Sequence, residues 1–394
     1  VYFDIDVYVN VKAGRKMPPE ITAKGITMTE HITQDPIYNT VSRDDFPTML
    51  DVDRYGTRTD AFDGIISATH DHFWDPMDPT YLDFSTPFDI ENEYLMPPET
   101  IPELQSAVAD KLDEGQKIRL ANESTRWSLS SILHGEQGAL SLSAGLCHIL
   151  VDPGAQEYAS NQTREEARHV TAFSRYISTH WGRPYPVGEA LGGLLEELVS
   201  AEEVYKKLVG MQMLVEGLAM GAFANLHAKA NDPLLKRLTQ LVMTDEAFHH
   251  KFGKIWADKT IPKLGTEEHN RVEDWAAQCF ETVLFNLINI RQKQVIYEQF
   301  GLDWQWVRDA CREVFTDEDR RDTLKESTNI FRVLVKTLLK SGIITDRTRP
   351  IYSHWVDMDQ MAGENEDMVG YAIADEGIAY LKTLNEGRRV IGQK

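Results

Sequence analysis

The feature that most narrows the fold is a recurring spacing. Glu165-Glu166-Ala167-Arg168-His169 and Asp245-Glu246-Ala247-Phe248-His249 lie 80 residues apart, and the same offset carries Glu136 onto Glu216 and Asp152-Pro153 onto Asp232-Pro233. A Glu and a His three positions apart share one helix face, so each motif can grip a cation from a single helix. Taken alone, Glu-x-x-His is more often a solvated stripe. Six ligand candidates, two flanking acids and two breakers obeying one offset are a different matter, because a chance set of buried ion pairs is costly to assemble.

The breakers set the geometry. Asp-Pro reads as a helix N-cap followed by a first-turn proline, and each pair stands midway between a lone Glu and a Glu-x-x-His. Each half is therefore expected to be a helical hairpin whose two carboxylates meet at equal depth. Two such hairpins bring four Glu and two His to one point in a four-helix bundle. Glu136 borders the apolar stretch 138–150 and Glu216 lies inside the apolar stretch 211–226, where a charge needs a partner.

Glu136, Glu166, His169, Glu216, Glu246 and His249 are thus the expected metal ligands and catalytic centre. Hard oxygen donors with one imidazole per ion suit iron first and manganese second, rather than zinc. Glu165 and Asp245 are placed to accept the spare ring N–H of the opposite histidine, and Arg168 to pair with one of these acids. Phe173 and Met220, each four residues beyond a ligand, and Met213 are the expected pocket wall, although bundle core is the more ordinary place for such side chains.

The rest of the chain bounds the class. Lys and Arg number 41 against 62 Asp and Glu, a net charge of −21 with no basic run, so neither nucleic acid nor an anionic membrane is an expected partner. Cys147, Cys279 and Cys311 are odd in number and widely spaced, which fits a reducing, cytoplasmic setting better than a disulfide framework. The longest apolar stretches are interrupted by Glu216, Asn225 and Glu281, short of the run of about 18–20 that a membrane span needs.

Residues 1–12 alternate with a strand-like period, and the following residues to about 100 are rich in Pro, Asp and Gly, with Trp74 among several aromatics. They read as an extended arm. Residues 101–344 carry helical spacing, and 345–394 form a C-terminal extension with a short helix expected over 372–384. The fold class expected is all-α: a bundle core within a larger helical domain of about eight helices. His70-Asp71-His72 resembles part of a facial metal triad, but it precedes a proline-rich loop rather than sitting on a rigid strand.

At its ligand residues the chain resembles the ferritin-like di-iron carboxylate superfamily, over about residues 122–252. Gly135-Glu136-Gln137-x-Ala139 followed by Glu-Glu-Ala-Arg-His is similar to the large subunit of bacterial multicomponent monooxygenases. Glu216-Gly217 and Asp245-Glu246-Ala247-x-His249 are similar to ribonucleotide reductase small subunits, and acyl-carrier-protein desaturases share the Glu-Glu-x-Arg-His form. Phe173 stands where the common reductase subunits keep a radical tyrosine, Met220 where the monooxygenases have threonine, and Val242 where the N-oxygenase branch adds a histidine.

The resemblance implies two iron ions, O₂ as co-substrate, and hydroxylation or epoxidation of an organic substrate with an apolar part. No glycine-rich phosphate loop is evident, so electrons are expected from a separate reductase or ferredoxin. A homo-oligomer is expected. Desaturation or N-oxygenation at the same site is the nearest alternative; a ferritin-like metal-binding or non-catalytic partner protein is the alternative of another class.

Overall fold

This computed structural model describes residues 35–43, 45–70, 72–314, 330–363 and 370–386. Among them it is all-helical, and the β-type pairing is confined to an isolated bridge between Thr40 and Leu150. The alternating residues 1–12 and Asp71 of the His-Asp-His triplet lie outside the described residues.

Helix α1 spans Glu114–Ile149 and starts at a reciprocal cap: the Gln116 N–H donates to Asp113 Oδ1 at 2.8 Å, and the Asp113 N–H donates to Gln116 Oε1 at 2.9 Å. Proline-rich 3₁₀ turns, including Pro102–Gln105, occupy the preceding residues, so the long helices begin at Glu114 rather than near 101. Helix α2 spans Pro153–Trp181, α3 Glu189–Ser200, α4 Val204–Lys229 and α5 Pro233–Thr260. Both Asp-Pro pairs behave as the spacing requires. Asp152 accepts the Gly154 N–H and Asp232 the Leu234 N–H, each at 2.8 Å, with the proline in the first turn.

Helix α1 packs on α2, α4 on α5, and α2 on α5. Their apolar side chains form two large clusters. One gathers Leu142 and Leu146 of α1, Tyr158 of α2, Met213 of α4 and Phe252 of α5. The other gathers Leu129 and Leu133, Phe173 and Tyr176, Met220 and Phe223, and Leu238 and Leu241 of the same four helices. On every helix the motif residues fall between the two sets. The titratable side chains therefore form a polar layer sandwiched between apolar ones, shut off from water at both ends.

Helix α4 is 26 residues long, and among the described residues it alone meets the length and hydropathy of a membrane span. Glu216 does not interrupt it, contrary to the sequence reading. The apolar character has an internal cause, since 72% of its most hydropathic window is buried within the protein.

Around this core lie α6 (Thr266–Ile288), α7 (Ile330–Lys340) and α8 (Tyr371–Asn385), with α7 against α4 and α8 against α5. Helix α8 matches the short helix expected near 372–384. A Cβ on its Gly377 would come within 2.7 Å of Thr244 Cγ2, so glycine permits this close approach. The described residues between 35 and 100 form turns and short helices, among them Phe46–Met49 and Asp63–Thr69, that tie to the core and the tail. Tyr38 stacks on Trp256, the Asn385 amide donates to the Phe73 carbonyl at 2.7 Å, and the Tyr81 hydroxyl donates to Asn385 at 2.6 Å.

Candidate metal centre

The six expected ligands converge, and each is 5% exposed or less. They fall into two groups of four donors, Glu136, Glu166, His169 and Glu246, and Glu166, Glu216, Glu246 and His249; within each group the ligand atoms lie within 4.8 Å of one another. Glu166 and Glu246 belong to both groups, Glu136 and His169 to one, Glu216 and His249 to the other. That is the pattern of two adjacent cation positions with two shared carboxylates.

Both imidazoles turn the same way. His169 Nδ1 stands 3.1 Å from Glu136 and from Glu246, and His249 Nδ1 stands 3.0 Å from Glu166 and 3.2 Å from Glu246. The Nε2 atoms face outward, 2.8 Å from Asp245 for His169 and 2.9 Å from Glu165 for His249. The acid before each motif thus holds the histidine of the other, which leaves Nδ1 free to ligate. Arg168 completes this shell with a two-point pair to Asp245, one arm through Nε at 3.0 Å, and it lies 3.8 Å from Glu165.

Three contributors carried no repeat to reveal them. Gln162, one turn before Glu166, donates its amide to Glu166 at 3.1 Å and to Glu216 at 3.2 Å; its counterpart at the 80-residue offset is Val242. A polar amide on the inward face of α2 was the available signal. Trp74 donates its indole N–H to Asp245 at 3.0 Å and stacks on His169 at 5.9 Å. His72 stacks on Phe248 and stands 3.1 Å from Asp245 and 3.7 Å from Glu165. His72, Glu165 and Asp245 form a third group within ligand distance, but both acids are already engaged by Arg168 and the two imidazoles. Of the other histidines, His134 meets the Tyr185 carbonyl at 2.9 Å, and buried His250 lies between Thr337 and Tyr371.

Helix α4 delivers Glu216 from an unusual stretch. Residues Leu208–Val215 are π-helical, and the α form resumes at Glu216. A π segment inserts extra residues into the turn and rotates the helix beyond it, a device frequent at functional sites.

The charges show what the layer is built for. Burial, reinforced by the Glu246 carboxylate, pushes Glu136 and Glu216 well above the usual carboxylate range. In Glu166 and Glu246 burial is outweighed by the His249 imidazolium, and both are held low. Asp245, where Arg168 outweighs burial, is held well below its ordinary value, and Glu165 is also lowered by its histidine partners. Burial opposes charge on His169 and His249, yet the surrounding carboxylates raise both well above the ordinary imidazole value; His72, by the same balance with Asp245 and Glu165, is pushed up to about 9. Without a cation the layer balances its buried acids with protons.

Some donors are not satisfied by protons. Glu166 Oε2, 3.5 Å from His169 Nδ1, and Gln162 Oε1 are buried with no hydrogen-bond partner, and Glu246 Oε1 meets His169 Nδ1 at 3.1 Å without hydrogen-bond geometry. Orphaned carboxylate oxygens on the two shared acids fit metal bonds rather than a closed ion-pair network.

A cavity of about 330 Å³ adjoins the layer, with Glu136 and Glu216 in its wall. The expected wall residues lie elsewhere: Phe173, Met213 and Met220 are fully buried in the core, with Phe173 stacked on Phe223. Ala139 and Ala219 line the cavity instead. For Met213 and Met220 the reason is helical phase: from a ligand, the third and fourth following residues diverge to opposite sides of its direction, and the cavity lies on the side of the third; Phe173 stands on α2, none of whose residues lines the cavity.

No protein-family model matches the chain, and no curated protein matches it.

Proposed function

We propose that the chain is a non-haem di-iron monooxygenase built on a ferritin-like four-helix bundle, hydroxylating or epoxidising an organic substrate with an apolar part. The observation that carries this reading is the pair of four-donor groups sharing Glu166 and Glu246. In the proposal Glu136 and His169 would hold one iron and Glu216 and His249 the other, with Glu166 and Glu246 available to both. Bound in the reduced state, such an iron pair supplies the electrons that activate O₂.

The chain's own residues do the remaining work. Glu165 and Asp245 fix the imidazole tautomers, and Arg168 neutralises Asp245. Gln162 steadies Glu166 and Glu216 from one side. The apolar clusters on both sides exclude water, so an oxidising centre meets substrate rather than solvent. The cavity against Glu136 and Glu216 favours an oxygenase over a storage or non-catalytic partner protein, which needs no such chamber beside its ligands. Electrons come in this proposal from a separate reductase or ferredoxin in a reducing, cytoplasmic compartment.

The test is metal analysis joined to oxygen consumption. Protein produced with iron should hold about two irons per chain, and its chemically reduced form should consume O₂ in single turnover. Less than one iron per chain, or no O₂ uptake by the reduced, iron-loaded protein, would refute the proposal.

A further inference from the structure

The cavity wall reads as two helical stripes. On α1 the lining positions step by three or four from Ala139 through Glu136, Ile132 and Ser128 to Ser124; on α4 they step from Val215 through Ala219 and Ala222 to Leu226. At the helical rise, Ser124 lies about 18 Å along α1 from Glu136, and Leu226 about 15 Å along α4 from Glu216. The cavity is therefore a slot running away from the carboxylate layer, not a round chamber over it.

Its chemistry changes along its length. Near the layer the wall is Ala139, Ile132, Val215, Leu218 and Ala219, with Leu191 from α3. Farther along, Ser131, Ser128, Thr125 and Ser124 follow one another on α1, set among apolar neighbours such as Ile101 and Leu226, and Glu103 and Lys293 also line the slot. Ser128 and Thr125 spend their hydroxyl protons on helix carbonyls. Ser124 does not: its hydroxyl is buried, 3% exposed as a residue, and has no partner. Lys293 is held 3.4 Å from the buried Glu103, whose carboxylate also accepts the Tyr297 hydroxyl at 2.7 Å. The polar end thus offers hydrogen bonds but little net charge, since its cation is already matched by an anion.

Resting on the di-iron reading above, we infer that the substrate is a slender amphiphile with an uncharged hydrogen-bonding head, such as an amide, ester or alcohol, and an apolar tail of about ten carbons directed at Glu136 and Glu216. Size supports the tail length. At about 30 Å³, the share of liquid volume that one water takes, 330 Å³ corresponds to roughly eleven water-sized units, the scale of a medium-length chain. Head chemistry follows from the pair at the far end. A carboxylate head would compete with Glu103 for Lys293, and an ammonium head would compete with Lys293 for Glu103; a neutral carbonyl or hydroxyl meets Ser124 and Lys293 without breaking their pairing. The carbon presented for oxidation lies on the tail, remote from the head.

Calorimetric titration with decanamide, decanoate and decylamine, three probes differing only in the head, tests this directly on the full chain, metal-loaded. Decanamide should bind at least tenfold tighter than either charged probe. Ala222→Trp, which fills the slot midway, should abolish decanamide binding. Lys293→Met and Ser124→Ala, which remove single head contacts, should each weaken decanamide about 3- to 30-fold and leave the metal content unchanged. If Ala222→Trp loses helicity by circular dichroism, the Lys293→Met and Ser124→Ala variants decide the matter. Tighter binding of decanoate or decylamine, or decanamide affinity indifferent to both of those substitutions, overturns the assignment. Metal content, measured on the same samples, separates the two readings. Two irons without amphiphile binding sink the substrate class alone, and amphiphile binding to a protein that takes up no iron sinks the di-iron reading alone.

Discussion

Loading two divalent ions into the metal-free protein should release about four protons near neutral pH, a number set by the charges in the buried layer. Four acids there are held low, Glu165, Glu166, Asp245 and Glu246, while His169, His249 and His72 are raised and Arg168 is cationic. Glu136 and Glu216 are raised well above the carboxylate range and hold protons. The layer is then close to neutral. Two divalent ions bring four positive charges, and binding needs Nδ1 of both histidines and both carboxylates bare, so one proton leaves each of His169, His249, Glu136 and Glu216. Anaerobic calorimetry with ferrous ion, or aerobic with manganous ion, in buffers of different ionisation enthalpy gives the proton count directly. The logarithm of each metal's affinity should rise by about two per pH unit across this range. Stability provides the opposite sign in the metal-free protein. Groups whose folded pKa is raised add stability that is full below the unfolded values, about 6.5 for His and about 4.3 for Glu, and lose it as pH rises through the folded values. The melting temperature should therefore fall with rising pH without metal, and the increment from metal should grow. Uptake of two ions with fewer than two protons released would refute this account of the layer.

Other substitutions separate the roles assigned to single residues. Glu166→Ala, which removes a donor shared by both groups, and His249→Ala should each lower bound iron below about one per chain by elemental analysis; two irons retained by both would exclude these residues as ligands. Asp245→Asn keeps the shape but weakens the grip on His169 Nε2, and should cost roughly 10- to 100-fold in metal affinity or activity with most iron retained in excess metal; an unchanged titration would show that Asp245 does not orient His169. Phe173→Ala should act through packing, because Phe173 is fully buried against Phe223: a loss of about 3–5 kcal/mol in denaturant unfolding, with the binding of cavity ligands little changed. A large shift in ligand preference at unchanged stability would return Phe173 to the pocket wall.

The six converging side chains were legible because their spacing is local chemistry written twice. A Glu and a His on one helix turn, a cap and a proline at the midpoint, and a repeat of both leave few ways to arrange two helix pairs, and the crossed contacts of Glu165 with His249 and Asp245 with His169 result from that arrangement. The cavity was less legible. Choosing between the third and fourth residue after a ligand requires knowing on which side of α4 the neighbouring helices leave a gap, and no pattern within α4 states that. Met220 is apolar, and so is Ala219. Only the packing of Met220 against the core decides which of the two faces the slot.

The contacts of Trp74 and His72 mark a harder limit, and the reason is physical. The Trp74 indole reaches Asp245 across 171 residues of sequence, from a segment whose proline-rich turns have no period to extrapolate. Local pattern fixes which face of a helix is buried, but a loop is positioned by the surface it covers. Here that surface was readable in outline. Asp245 was expected to hold His169 from outside the ligand set, and a buried carboxylate flanked by apolar helices must find further donors or remain costly. Arg168 supplies two and His169 a third; the arm brings the indole N–H to an oxygen that Arg168 and His169 already share. Residues 72–74 are thus more than a cover for the helices. With Trp74 on Asp245 and His72 beside Glu165 and Asp245, they brace the two acids that hold His169 and His249, which ties residues 72–74 to the geometry of the carboxylate and histidine layer.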